Sequence, residues 1–205
     1  MRLDFRTVRR PSRYEPERTK GSRFFASIAP VQDIAAAEAH VAALRAEFSD
    51  ASHHCFAWRL GHAGEDFRSS DDGEPSGSAG RPILLQIEGH DLTNTAVVVT
   101  RYFGGTKLGV GGLMRAYGGA CGQALDRAEI EVVELKQTLH VEHPYECTGA
   151  IESILKSCGL TPLGAEYGER VSFRLAVPLA RVESLCTELR DRTAGLASFR
   201  LNPLE

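Results

Sequence analysis

The run Thr95-Ala96-Val97-Val98-Val99-Thr100-Arg101 holds three consecutive valines and shows no polar–apolar alternation. A continuous β-branched run of this kind predicts a strand buried on both faces. Downstream it enters Tyr102-Phe103-Gly104-Gly105, and a helix is expected over residues 111–128. Leu113, Met114, Tyr117, Cys121, Ala124, Leu125 and Ala128 form its apolar stripe. Gly118, Gly119 and Gly122 lie inside that helix, and each is worse there than alanine by about 1 kcal/mol. Close approach of the helix backbone to a sheet is the expected compensation.

Upstream, Pro82 suits the first turn of a short helix over residues 83–88. Residues 61–80 read as one long loop, too polar to pack, and long loops within compact domains are usually functional or disordered. A strand is expected at residues 53–60. A helix is expected at 31–48, with Val31, Ile34, Val41, Leu44 and Phe48 on its apolar face. The first 30 residues read as extended structure with a turn at Gly21.

From about Leu135 the rhythm changes. A strand at 136–143 precedes a helix from Pro144 to Cys158, closed by Gly159. Strands follow at 160–167 and 169–177. The second of these alternates, with Val171, Phe173, Leu175 and Val177 on one side and Ser172 and Arg174 on the other. A helix over 178–192 and a strand over 196–201 complete a βαββαβ order, the ferredoxin-like unit. The expected architecture is α+β, with two α/β sandwich domains at residues 1–134 and 135–205.

The 205 residues are 42% hydrophobic and 25% charged, with a net charge of −3. These are ordinary values for a globular protein. No apolar run approaches bilayer length and no signal-type stretch opens the chain, so the expectation is a cytoplasmic protein without a membrane partner. The five cysteines are odd in number, widely spaced and without a CxxC pair. That argues against a disulfide framework or zinc knuckle and for small buried hydrophobes. The first 23 residues carry eight Arg or Lys against three acids. Such an arm either steers a phosphate-bearing partner or is a solvated edge whose charges prevent aggregation.

Three segments carry chemistry. The first runs from Arg101 to Arg115. Gly104, Gly105 and Gly109 free the backbone to turn, amides at a helix start attract anions, and Arg101, Lys107 and Arg115 add charge beside Tyr102. It reads either as a cradle for phosphate or RNA backbone or as a tight turn that needs glycine for packing. It matches neither GxxxxGK[ST] nor GxGxxG, and no cofactor is expected. The second is Ser70–Gly80, where Asp71, Asp72 and Glu74 form a candidate acid–base or divalent-metal cluster, or else cap local turns. The spacing is not that of an EF-hand, and no metal site is assigned. The third is His53-His54-Cys55. Adjacent strand residues face opposite ways, so His53 and Cys55 share a face and His54 takes the other. A Cys–His nucleophile pair would still need a third, orienting group.

Taken together, Lys20-Gly21-Ser22-Arg23-Phe24, Ala51–Trp58, Ser70–Gly77 and Arg101–Gly109 resemble the IMPACT family in its YigZ-type bacterial form, over nearly the whole chain. The resemblance implies an N-terminal domain like ribosomal protein S5 domain 2 and elongation factor G domain IV. It implies a C-terminal domain like elongation factor G domain V. Eukaryotic relatives act in translational control under starvation through an additional N-terminal domain that this sequence does not show, so that mechanism is not expected to transfer. No catalytic residues carry over from the resemblance.

The expected function is a non-enzymatic, translation-linked regulator that binds RNA or the ribosome. The alternative is an enzyme acting on a phosphorylated small molecule or nucleotide, with Asp71, Asp72 or Glu74 as working groups and Arg101 and Lys107 holding phosphate. That alternative requires a concave pocket joining the two loops. A protein-binding adaptor would instead expose an apolar patch near Tyr102 and Phe103.

Overall fold

A computed structural model describes residues 2–202. The chain divides into two compact units, the first spanning Arg2–Val133 and the second beginning at Glu134.

The first unit is built on a five-stranded sheet. Its strands are β2 (Ser12–Tyr14), β3 (Arg23–Pro30), β4 (His53–Leu60), β5 (Asp66–Ser70) and β6 (Thr95–Tyr102), in the order β2-β3-β6-β4-β5. All neighbouring pairs are antiparallel. The valine-rich β6 is the central strand, and its residues alternate between two cores. Val97 and Val99 face α2 (Gly80–Gly89) and α3 (Val110–Leu125), where Phe24, Ala26, Ile28, Ile83, Ile87, Tyr117 and Leu125 close the layer. Ala96 and Val98 face α1 (Ile34–Glu47), with Trp58, Phe56, Val41 and Leu44. Burial of both faces explains the missing alternation in this run. A small sheet pairs β1 (Asp4–Val8) with β7 (Ile130–Glu134).

Several expectations need correction. Residues 61–80 are not one loop, since Asp66–Ser70 pairs with β4 as an edge strand. Its side chains are mostly exposed, so polar composition is compatible with the strand. The first helix begins at Ile34 because the Asp33 carboxylate caps it, accepting from the Ala36 amide at 2.7 Å. Ile34 is consequently exposed rather than inward, and Met114 is also exposed. The glycines of α3 do not approach the sheet. A Cβ on Gly118 would meet Pro82 at 3.6 Å and one on Gly122 would meet the Gln86 side chain at 2.6 Å, so both glycines face α2.

The second unit follows the order β8 (Lys136–His143), α4 (Thr148–Cys158), β9 (Leu163–Tyr167), β10 (Val171–Pro178), α5 (Val182–Arg192) and β11 (Ser198–Leu201). Its antiparallel sheet runs β11-β8-β10-β9. Gly159 ends α4 in the left-handed conformation, and the Leu160 amide returns to the Leu155 carbonyl. That cap uses the first residues of the expected next strand, so β9 starts only at Leu163. Leu139, Val141, Phe173 and Leu175 pack with Ile151, Leu155, Leu185 and Leu189. Among the described residues no helix is long and apolar enough to cross a membrane.

Candidate functional site

The register of the first sheet sets Phe24 opposite Arg101 and Arg101 opposite His53. The three form a row on the face toward α3, and the loop after β5 folds over it. Glu74 descends from that loop into the row and is almost wholly buried. Its Oε1 accepts from the Arg101 guanidinium at 2.5 Å and from the Tyr117 hydroxyl at 2.7 Å, and lies 3.8 Å from His53 Nε2. The second Arg101 amino group donates to Ser22 Oγ at 3.2 Å, which also accepts from the Gly104 amide at 3.2 Å. The acidic loop and the glycine-rich strand end therefore meet, through a buried ion pair.

The meeting commits most of the expected acid–base groups to structure. Asp71 accepts from the amides of Gly77, Ala79 and Gly80 at 2.8–2.9 Å, which caps the start of α2 from a distant sequence position. This is why α2 begins at Gly80, ahead of Pro82. Burial alone would raise the Asp71 carboxyl, but the three amide donors together hold it below its ordinary range. Asp72 takes the Arg45 guanidinium at 2.5 Å on one oxygen and the His54 amide at 2.6 Å on the other. His53 Nδ1 lies 2.8 Å from the Asp72 carbonyl.

His54 is buried on the face toward α1. Burial pushes its imidazole toward the neutral form, against the pull of Asp72. Burial likewise drives the Cys55 thiol up to about 12. A thiol so protonated is a poor nucleophile, and the pairing of Cys55 with a histidine as a reactive dyad finds no support. Among the described residues no group of three or more His, Cys, Asp or Glu is placed to hold a metal ion.

The phosphate candidates separate into two sets. Arg101 is 4% exposed, so its charge serves the interior. Tyr102 donates to Asp50 at 2.7 Å. Gly104 is a packing position, since a Cβ there would lie 1.9 Å from the Gly21 carbonyl carbon. Gly105 and Gly109 hold positive φ of 84° and 71° on the surface. Lys107 and Arg115 are exposed. Gly109 caps α3 without a side-chain hydrogen bond, and the Arg115 head lies 3.7 Å from where a Gly111 Cβ would be. Phe103 is 49% exposed, with the buried Arg101 guanidinium 5.4 Å from its ring centroid. Val110 and Met114 add further exposed apolar surface one helical turn apart.

Two clefts of the first unit are lined by neither Glu74 nor Arg101, although Phe24, beside Arg101, borders the second. One, of about 400 Å³, is bordered by Arg13, Ser27, His40 and Glu47. The other, of about 310 Å³, is bordered by Tyr14, Thr19, Arg115, Gly119 and Gln123. Neither joins the acidic loop to the glycine-rich turn. Five of the eight basic residues of the N-terminal arm are paired. Arg2 pairs with Asp91, Arg9 and Arg10 with Glu129, Arg13 with Glu47, and Arg23 with Glu15.

Sequence reasoning placed Tyr117 only in an apolar stripe and assigned Ser22 no role. The hydroxyl of Tyr117 was the available signal, since a buried phenol needs a partner. Ser22 lies within the Lys20-Gly21-Ser22 stretch already singled out.

The Impact N-terminal domain model matches residues 20–125, and a domain of unknown function (DUF1949) matches residues 141–196. The chain is 40% identical to IMPACT family member YigZ of Escherichia coli over 184 residues, covering 87% of this chain and 89% of that protein. It is 39% identical to an IMPACT family member from Thermus thermophilus, covering 85% and 94% of the two chains. It is 31% identical to IMPACT family member YvyE of Bacillus subtilis, covering 87% and 82%. A crystal structure of a hypothetical protein superposes with a TM-score of 0.72 at 34% identity, covering 100% of this chain and 99% of that one. A second crystal structure, of a Thermus thermophilus protein, aligns with a TM-score of 0.56 at 16% identity, over 98% of this chain and 28% of the other, and shares the fold alone. The Lys20-Gly21-Ser22, His53-His54, Ser70–Gly77 and Arg101–Gly109 stretches that converge on the buried Glu74–Arg101 pair all fall within the Impact N-terminal match, and the chain belongs to the IMPACT family.

Proposed function

We propose that the chain is a non-enzymatic, translation-linked regulator that binds RNA or the ribosome through the surface from Phe103 to Arg115. The observation that carries this reading is the pairing of exposed cationic groups, Lys107 and Arg115, with the exposed Phe103 ring, which lies over the Arg101 guanidinium at 5.4 Å. Exposure of Phe103 by itself would equally suit a protein partner. Both cationic residues and the uncapped start of α3 follow Phe103 in the chain. An aromatic platform beside cationic groups is how single strands are gripped without sequence readout. The interior pair Glu74–Arg101 then acts as a support that sets the pose of the turn. The enzyme reading is weaker, because Asp71, Asp72 and Glu74 are each engaged within the protein.

Ribosome cosedimentation tests the proposal. Wild type should pellet with ribosomes at low salt and release as salt rises, because phosphate contacts displace counterions. Lys107→Ala/Arg115→Ala should weaken association at every salt concentration, and Phe103→Ala should weaken it with little change in salt slope. No association of wild type at low salt would sink the idea. The exposure of Val110 and Met114 favours one other reading, a protein partner on the first turns of α3. In that case association would resist both salt and ribonuclease and be lost in Met114→Glu.

A further inference from the structure

The second unit has a sheet face that its helices leave open. The packed side holds Leu139, Val141, Phe173 and Leu175, so the intervening residues of β8 and β10 point the other way. Strand register sets Arg174 opposite His140 and His140 opposite Arg200. Two guanidiniums thus flank one imidazole in a row across β10, β8 and β11. At roughly 4.8 Å per strand, the Cα atoms of the two arginines are about 10 Å apart. The adjacent row is Ser172, Glu142 and Ser198, with Glu166 opposite Ser172. Both rows line one basin of about 730 Å³, within the usual size of small-molecule sites.

Arg174 lies on the open face by its unbroken register with β8. The β9–β10 register slips between Ser172 and Arg174, with the extra residue on β9, so that Leu163 is the register partner of Arg174. Next to Leu163, Gly164 has φ of 61°, and a Cβ there would lie 3.1 Å from the Arg174 guanidinium. The head group therefore rests on bare backbone. Among the described residues neither Arg174 nor Arg200 reaches a carboxylate, whereas Arg170 at the rim pairs with Glu142 at 2.7 Å.

We infer that this basin binds a nucleoside diphosphate. Its phosphates would span Arg174 and Arg200 with His140 between them. Its ribose hydroxyls and base amine would donate to Glu166 and the two serines. A cationic row beside an acidic one suits a ligand with one anionic end and one donor end. It opposes a continuing phosphodiester chain, whose next phosphates would meet the carboxylates. The bordering rings, Phe173 and Phe199, alternate with the open-face residues on their strands and so belong to the helix-covered side, while the exposed Tyr167 borders the adjoining cleft that shares Glu142, Glu166 and Ser172. The inference is independent of RNA binding by the first unit.

Isothermal titration of the full-length protein with ADP, pyrophosphate, adenosine and a uridine decamer tests it. ADP should bind with one-to-one stoichiometry, pyrophosphate more weakly and adenosine not measurably. Arg174→Ala/Arg200→Ala should weaken ADP by about tenfold or more, as expected for lost charge-assisted hydrogen bonds. Glu166→Gln should weaken ADP and leave pyrophosphate unchanged or somewhat tighter. Amide chemical-shift changes in wild type should cluster on β8, β10 and β11, which gives a readout free of any folding defect in the variants. Lys107→Ala/Arg115→Ala should bind ADP normally, so failure here and failure of the RNA reading are separable. Absence of ADP binding at millimolar concentration, or shift changes centred elsewhere, overturns the proposal. So does a decamer that outcompetes ADP and depends on the same two arginines.

Discussion

Glu74 shows how much one side chain can decide. Its side chain and that of its partner Arg101 are equally buried, each with 5% exposure. Removing one member of a buried pair strands the other charge, whereas replacing both by apolar groups is often tolerated. Glu74→Ala should therefore lower the unfolding free energy by about 3–5 kcal/mol in urea titrations. Glu74→Leu/Arg101→Met should recover much of that loss, and equal costs for the two variants would contradict the assignment. Tyr117→Phe, which removes one donor to the Glu74 carboxylate, should cost about 1.5–3 kcal/mol.

The buried imidazoles add a pH dependence. Burial lowers the pKa of His54, against Asp72, and that of His40, against the Ser27 carbonyl. Between the lowered folded values and the ordinary 6.5, the unfolded chain binds protons that the folded chain does not. Their contribution is complete above that value and is lost as pH falls below it. A second loss follows at lower pH, as Asp71, held below 3.8, is protonated. The melting temperature should drop between pH 7.5 and pH 5.5 (chosen to bracket the roughly 6.5 reference pKa). His40→Gln/His54→Gln should flatten that step, and an equal drop in the variant would rule out these two groups.

Among the elements, α3 and the turn that precedes it hold glycines with opposite meanings. Gly119 has nothing within 4 Å of its missing Cβ. Gly119→Ala should stabilise the protein by about 0.5–1 kcal/mol through helix propensity alone. Gly104, two residues beyond β6, abuts the Gly21 and Ser22 backbone, where a methyl group would lie 1.9 and 2.2 Å from main-chain atoms. Gly104→Ala should destabilise by about 1–3 kcal/mol or more, because backbone and not a flexible side chain must move. Thermal melts of the two variants should shift in opposite directions. The same contrast marks what was legible at this scale. Helical glycines were visible as a cost, but whether they faced a sheet, a neighbouring helix or water depended on packing partners. Polar Asp66–Ser70 reads as loop in the sequence because an edge strand needs only a neighbour's backbone, which composition does not reveal.

The whole molecule holds separate cores. The clusters around Val97 and Val98 draw on residues 8–130, and the cluster around Leu175 draws on residues 139–199. With no core residue in common among the described residues, the units should lose structure in distinguishable steps. Leu175→Ala should cost about 2–5 kcal/mol in the transition of the second unit and leave that of the first unchanged in calorimetry. A single transition that shifts as a whole would show the cores to be coupled.

The sequence by itself determined most element types, the two-sided burial of β6, the βαββαβ order and the family. Each rests on periodicity or on contiguous motifs, which are properties of neighbouring residues. Tertiary structure decided which charges remain available. Glu74 and Arg101 are 27 residues apart, and Ser22 and Arg101 are 79 apart. Only their approach across the sheet withdrew Arg101 from the surface and left Lys107 and Arg115 on it. The row of Arg174, His140 and Arg200 was equally invisible, because strand register is set by pairing between segments that the linear order separates.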